Sequence, residues 1–320
     1  MITHKFEYSQ PQSLDEAYRQ KNQSASSVYI AGGTDIVPML KTDLIFPELV
    51  ISLKSIPELA LIKSEGGNIE SGAMATLEAL AQYFQATPSR GTGGIANAAR
   101  ATASPQIRNL GTVGGNLLQS ARCIYYNQTA AWRAGIENCF KTGGKLCHQA
   151  PAVKACVATY YSDTAPVFLA CGAFARIYQA GRLETIPLEH LLATPAALGN
   201  GILTHVIVPE TNELEGSYFR KQAVRGSIDF PLANAALALR KNGTVRLAVG
   251  AMTQSPVFLQ ETQAKLESLL KTGRKAQDET YKTAIAEAKT LMRPIREATV
   301  SPAVKNTAMA AALEVIFDVN

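Results

Sequence analysis

Gly111-Thr112-Val113-Gly114-Gly115-Asn116 repeats, some eighty residues downstream, the chemistry of Ala31-Gly32-Gly33-Thr34-Asp35, and this pairing decides how the chain is read. The upstream run lies between an apolar strand, Ser27 to Ile30, and a helical stretch, Ile36 to Lys41, which makes a strand, tight turn and helix. Glycine tolerates positive φ and lets backbone amides approach an anion, and Thr34 adds a hydroxyl donor. Alone, Gly-Gly-Thr-Asp is an ordinary turn that starts a helix. It is neither the G-x-G-x-x-G fingerprint nor a P-loop. Two such segments in separate α/β units, however, can clamp one diphosphate between them. Asn116 either orients its loop, donates an amide hydrogen bond or serves as a left-handed turn residue. Asp163, in Ser162-Asp163-Thr164-Ala165, either accepts from ribose hydroxyls or caps a helix.

Outward from these runs the pattern is α+β. Ser13 with Glu16 forms a capping-box signature for a first helix reaching Arg19, and Leu49 to Leu53 reads as a strand. Strand-like Leu61 to Lys63 and Asn68 to Gly72 precede helical stretches over Thr76 to Phe84 and Gly91 to Ala103. Phe168 to Tyr178 and Leu203 to Val208 read as strands. After Pro209 come a strand at Gly216 to Lys221, a helical run at Pro231 to Leu239 and a strand at Thr244 to Ala251. Helices follow over Gln260 to Leu291 and Ala303 to Ile316. Ser120 to about Thr159 has little periodicity and reads as an inserted functional loop.

That loop carries Cys123, Cys139, Cys147 and Cys156, spaced C-x15-C-x7-C-x8-C. Thiolates are the usual ligands of iron–sulfur clusters, although this is not the ferredoxin spacing, and it lacks the paired C-x2-C of most structural zinc sites. Zinc therefore stays open beside a cluster. Cys171, within Leu169-Ala170-Cys171-Gly172-Ala173, reads as a core residue. His148 is read as a ligand, an outer donor or a surface residue, and Tyr125, Tyr126, Trp132 and Phe140 as a shield against water or simple loop packing.

The remaining composition narrows the function by exclusion. With 47% apolar and 18% charged residues the chain is globular, and no stretch approaches the ~20 apolar residues of a spanning helix, so no membrane role is expected. The net charge of +5 is scattered, without basic runs interleaved with aromatics, which argues against nucleic acid. No Gly-x-Ser-x-Gly or His-Glu-x-x-His occurs, so no catalytic side chain is expected and the chemistry falls to bound cofactors. The start of the chain lacks the pattern of a secretory signal, and a cytoplasmic location is expected.

The stretches Ala31 to Asp35, Ala103 to Leu117 and Ser162 to Ala165 together resemble the FAD-binding subunit of the xanthine dehydrogenase family of molybdenum hydroxylases. The resemblance implies a two-subdomain FAD-binding domain of the PCMH/VAO type, residues 1–56 and 57–212, interrupted here at about 120–159 by a cysteine insertion that most members of the family lack. A small C-terminal α+β domain, 213–320, with a three-stranded antiparallel sheet and helices, would follow. It places Ile30, Ala31, Gly32, Gly33, Thr34 and Asp35, with Thr112, Gly114, Gly115 and Asn116, around the FAD diphosphate. Asp163 falls near the adenosine end and Lys221 near the flavin.

Arg122 to Gln128, Trp132-Arg133, the cysteine spacing and Ile228 to Ala233 are similar to the 4-hydroxybenzoyl-CoA reductase branch, whose β subunit has an added [4Fe–4S] cluster. That similarity makes Cys123, Cys139, Cys147 and Cys156 the cluster ligands. It implies a large partner subunit with the molybdenum cofactor, a small one with two [2Fe–2S] clusters, a ferredoxin-like donor and a dimer of heterotrimers. Electrons would pass from ferredoxin to molybdenum for reductive dehydroxylation of an aromatic CoA thioester. The competing expectations are the FAD subunit of a molybdenum aldehyde or N-heterocycle oxidoreductase, and a zinc-stabilised, non-redox nucleotide-binding module.

Overall fold

The computed structural model describes residues 2–150, 152–226, 228–272, 278–291, 296 and 301–317. At the N-terminal end β1 (Glu7–Ser9), α1 (Leu14–Gln23), β2 (Ser27–Ile30), α2 (Ile36–Lys41) and β3 (Leu49–Ser52) form a parallel sheet ordered β1-β3-β2. Ser13 caps α1, its Oγ accepting from the Glu16 amide at 3.2 Å. Glu16 does not close the expected box on Ser13; its carboxylate accepts from the Gln12 amide, one residue earlier.

The next unit begins with β4 (Ile62–Glu65) and β5 (Asn68–Gly72), followed by the short helices α3 (Leu77–Ala86), α4 (Gly93–Ala101), α5 (Pro105–Arg108) and α6 (Val113–Leu117). After α7 (Ala130–Ala134) and α8 (Thr164–Ala170), the chain forms β6 (Phe174–Gln179), β7 (Arg182–Pro187), α9 (Leu188–Ala193) and β8 (Ile202–Val208). Their five-stranded antiparallel sheet runs β4-β5-β8-β6-β7. The expected strand over 168–178 thus divides: Phe168 to Ala170 belong to a helix, and extended structure starts at Phe174. All seven residues of α8 are buried. A helix enclosed on every side shows no amphipathic period, and a short apolar run is then indistinguishable from a strand.

The third unit comprises β9 (Leu214–Gln222), β10 (Ala233–Arg240), β11 (Val245–Gly250), β12 (Val257–Phe258), α10 (Gln260–Lys271), α11 (Asp278–Leu291) and α12 (Pro302–Phe317). Three long antiparallel strands gain a two-residue edge strand, in the order β12-β11-β10-β9. The helix expected over 231–239 is instead the strand β10. Its alternate residues enter different cores, Ala236 and Ala238 that of the second unit and Ala233, Ala235 and Leu237 that of the C-terminal helices. Burial on both faces between packed helices leaves room only for small side chains, and the resulting alanine-rich run mimics a helix former. The insertion is pinned at its base by reciprocal backbone hydrogen bonds between Arg122 and Thr159, at 2.7 and 2.9 Å.

Candidate functional site

The chain leaves β2 at Ile30 and turns through Ala31 to Asp35 into α2. Gly33 holds φ at +74°, the left-handed region that glycine adopts without a steric cost. Gly32 lies so close to the second glycine segment that an added Cβ would sit 1.8 Å from the Leu110 carbonyl oxygen. Among the described residues the amides of Gly32, Gly33, Thr34 and Asp35 find no protein acceptor. Successive unpaired amides around a positive-φ glycine form a concave anion nest.

The second segment is built differently. Thr112 caps α6, its Oγ1 accepting from the Gly115 amide at 3.0 Å. The Val113 and Gly114 amides donate to the carbonyls of Ala75 and Ala73, and that of Asn116 to the Thr112 carbonyl. Its amides are therefore engaged within the protein, and the two runs are not equivalent clamps. A Cβ on Gly114 would lie 2.8 Å from the Cβ of Ala73, whereas one on Gly115 would point toward Ala31 at 3.9 Å.

Both segments line one cleft of about 400 Å³. Ala31, Gly32, Gly33, Thr34, Asp35, Thr112, Gly114 and Gly115 reach it, joined by Tyr29, Met74, Leu198, Ile202 and Leu203. Tyr29 belongs to β2 just before the turn, whereas Met74, Leu198, Ile202 and Leu203 come from distant segments and carry no sequence signal beyond being apolar. Ile30, Asn116, Asp163 and Lys221 do not line it. Ile30 stands behind the turn, its Cδ1 3.6 Å from where a Gly33 Cβ would be.

Asn116 is an orienting residue, its Oδ1 accepting from the hydroxyls of Ser162 at 2.6 Å and Thr164 at 2.7 Å. Ser162, not Asp163, makes the capping bond at the start of α8, accepting from the Ala165 amide at 3.0 Å. The Asp163 carboxylate turns to the C-terminal sheet, where it accepts from Lys221 Nζ at 2.8 Å and Asn234 Nδ2 at 3.0 Å. Lys221 also donates to the Ala101 carbonyl at 2.9 Å. Burial pushes the Asp163 carboxyl above its usual range, and the Lys221 ammonium and Asn234 amide draw it back. A polar chain thus runs from the second glycine segment to the third unit.

Cys123, Cys139, Cys147 and Cys156 line one small cavity of about 20 Å³ within the insertion, with Tyr125, Tyr126, Phe140, Lys141 and His148 around it. Three of the sulfurs receive hydrogen bonds: Cys123 from the backbone at Tyr125 and Tyr126, Cys156 from the Ala158 amide at 3.4 Å, and Cys139 from the Thr142 hydroxyl at 3.8 Å. Among the described residues no three Cys, His, Asp or Glu side chains gather tightly enough for one metal ion. Four cysteines around one cavity are the donor type that iron–sulfur clusters take. His148 stacks on Tyr125, with ring centroids 5.4 Å apart, and its Nε2 lies 2.7 Å from the Glu137 carbonyl. Trp132 remains 42% exposed and tilts against Tyr125 without lining the cavity.

Cys171 is fully buried in the main core, and desolvation pushes its thiol up to about 12. Cys171→Ala is expected to leave bound iron unchanged and to cost about 1 kcal/mol, readable as a small fall in the urea midpoint. Iron lost in that variant would overturn the ligand set.

Sequence reasoning missed Arg122, which joins the two sites. Immediately before Cys123, its guanidinium pairs with the Asp35 carboxylate of the glycine turn. The same group lies 4.9 Å from the Phe230 ring of the third unit. The sequence marked it only as the first residue of the Arg122 to Gln128 stretch, with no role of its own.

Residues 4–211 match the family described as the FAD binding domain in molybdopterin dehydrogenase. The aldehyde oxidoreductase FAD-binding subunit of Escherichia coli strain K12 is 26% identical over 316 residues, spanning 92% of this chain and 98% of that protein. The carbon monoxide dehydrogenase medium chain of Hydrogenophaga pseudoflava is 38% identical over 120 residues, 37% of this chain and 40% of that one. A solved reconstituted CO dehydrogenase from Oligotropha carboxidovorans superposes with a TM-score of 0.75 at 20% identity, covering 98% of this chain and 97% of that chain. No helix among the described residues is long and apolar enough to cross a membrane. The anion nest, the family match over most of the chain and the full-length fold agree: this chain belongs to the FAD-binding medium subunits of the molybdenum hydroxylase family.

Proposed function

We propose that this subunit carries electrons for a molybdenum enzyme that oxidises an aldehyde or an N-heterocycle, using FAD in the glycine cleft and a [4Fe–4S] cluster in the insertion. FAD exchanges electrons singly or in pairs and so joins one-electron clusters to two-electron substrate chemistry. The Gly32 to Asp35 nest is suited to the diphosphate, and Tyr29, Met74, Leu198 and Ile202 to an adenine ring. Thr112 and Gly114 hold the opposite wall, while Asn116, Asp163 and Lys221 fix the cleft relative to the C-terminal sheet. Cys123, Cys139, Cys147 and Cys156 are assigned as the cluster ligands. The unit divisions are proposed near residues 56 and 212, with the insertion over about 120–159.

The observation that carries this reading is the Arg122–Asp35 pair, which sets the four-thiol cavity directly beside the glycine turn. Oxidation is favoured because a relative aligned along nearly its whole length is an aldehyde oxidoreductase subunit. Partners would be a molybdenum-binding large subunit and a [2Fe–2S] small subunit, with an external one-electron acceptor.

A second reading, reduction of an aromatic CoA thioester with ferredoxin as donor, is supported by the cysteine insertion and by the resemblance at Ile228 to Ala233. Turnover of the anaerobically purified complex with aldehydes, N-heterocycles and 4-hydroxybenzoyl-CoA separates the two. Thioester reduction without aldehyde or heterocycle oxidation would reverse the choice. Cys139→Ser is expected to lower iron and acid-labile sulfide while flavin stays at wild-type level, since thiols and nest are separate sites. Unchanged iron would remove Cys139 from the ligand set.

A further inference from the structure

We infer that Lys141 is the built-in counter-charge of the four-thiol site, a positioning residue whose ammonium raises the electron affinity of whatever the thiols hold. The inference rests on the reading that Cys123, Cys139, Cys147 and Cys156 bind an iron–sulfur cluster. Lys141 is the one lysine or arginine among the described residues lining the cavity. Its ammonium is held in place, donating to the Ala121 carbonyl and standing 4.3 Å from the Tyr126 ring centroid. Tyr126 is approached by a second cation, the Arg133 guanidinium at 5.9 Å.

The protein alone leaves this ammonium under-compensated. An ammonium has three donors, and the Ala121 carbonyl is the acceptor found among the described residues. A half-buried cation with one neutral acceptor and a ring face carries a desolvation cost that invites a negative partner. Cys123, Cys139, Cys147 and Cys156 line the same cavity as this lysine, and once deprotonated to hold a cluster they supply the negative charge that Lys141 complements.

The consequence follows from charge. Four thiolates leave a cluster net negative, and reduction by one electron adds to that charge. A fixed positive group stabilises the reduced form and raises the potential, as hydrogen bonds to the sulfurs do.

The test is an anaerobic, EPR-monitored redox titration with dithionite on the purified complex, comparing wild type, Lys141→Met and Lys141→Arg. Iron belonging to this chain is taken as the difference from Cys139→Ser. Lys141→Met is expected to shift the cluster's reduction equilibrium at least tenfold toward the oxidised form, 59 mV for one electron. Lys141→Arg is expected to stay near wild type. If the Met variant instead loses iron while the Arg variant retains it at wild-type potential, the counter-charge role stands. Full iron and an unmoved potential in Lys141→Met would overturn it. So would an Arg variant that fails like the Met variant, because packing of the lysine would then be what matters. A wild-type complex with flavin but no iron or sulfide assignable to this chain would remove the cluster reading itself, and the inference with it.

Discussion

Gly115→Asp is expected to yield a folded chain that retains almost no flavin. A side chain at this position projects into the cleft toward Ala31, with its Cβ 3.9 Å from that methyl group and 3.0 Å from Thr112 Oγ1. A carboxylate there competes for the free amides of the Gly32 to Asp35 turn and repels a diphosphate. Like charges brought together in a binding site cost several kcal/mol. Since 1.4 kcal/mol is tenfold, affinity should fall by about two orders of magnitude or more. Gly115→Ala separates charge from bulk: Thr112 need give only a few tenths of an ångström, so most of the flavin should remain. Flavin absorbance relative to protein, with binding followed by fluorescence quenching, reads both variants. Normal flavin in Gly115→Asp would place the diphosphate elsewhere.

Lys221→Met is expected to be among the most destabilising single changes in the chain. Asp163 and Lys221 have side chains 3% and 9% exposed, so their 2.8 Å pair is screened little by water. Removing one partner of a buried pair costs about 3–5 kcal/mol, because the other is left as an uncompensated charge. Without Lys221 the carboxylate holds a proton to higher pH in the folded chain than in the unfolded one. The folded state then binds more protons, and stability falls as pH rises. The deficit should therefore be larger at about pH 8 than at about pH 5, measured as urea midpoints at fixed flavin concentration. Adding Asp163→Asn to Lys221→Met should recover part of the loss. An equal deficit at both pH values would mean that Lys221 contributes packing and its bond to Ala101, not charge.

The two expectations share a structural origin. The second glycine segment, the start of α8 and the C-terminal sheet form one polar chain through Asn116, Ser162, Asp163, Lys221 and Asn234. The cleft wall is thereby fixed to the third unit. A change at Lys221 should consequently loosen flavin as well as the fold, whereas Gly115→Asp should affect flavin alone.

The sequence by itself determined the strand, turn and helix around Ala31 to Asp35, because short-range chemistry governs each step. Val28 and Ile30 favour extended backbone, Gly33 accepts positive φ, and the helix after Asp35 follows. It likewise marked the insertion by loss of periodicity, and the four cysteines by residue type. What the tertiary structure decided were matters of direction and burial. Val113 to Leu117 is a helical turn whose amides are already bonded, which no local pattern reveals, because the acceptors Ala73 and Ala75 come from another segment. Strand β10 was expected as a helix, and Phe168 to Ala170 at the end of α8 as a strand, because both segments are buried, which removes the contrast between apolar and polar faces on which periodicity depends. Asp163 became a partner of Lys221, Arg122 the charge between two sites and Lys141 a charge beside the thiols, because a side chain's role is set by what stands within a few ångströms. Residues 58 and 87 positions apart met there only once the three sheets had packed.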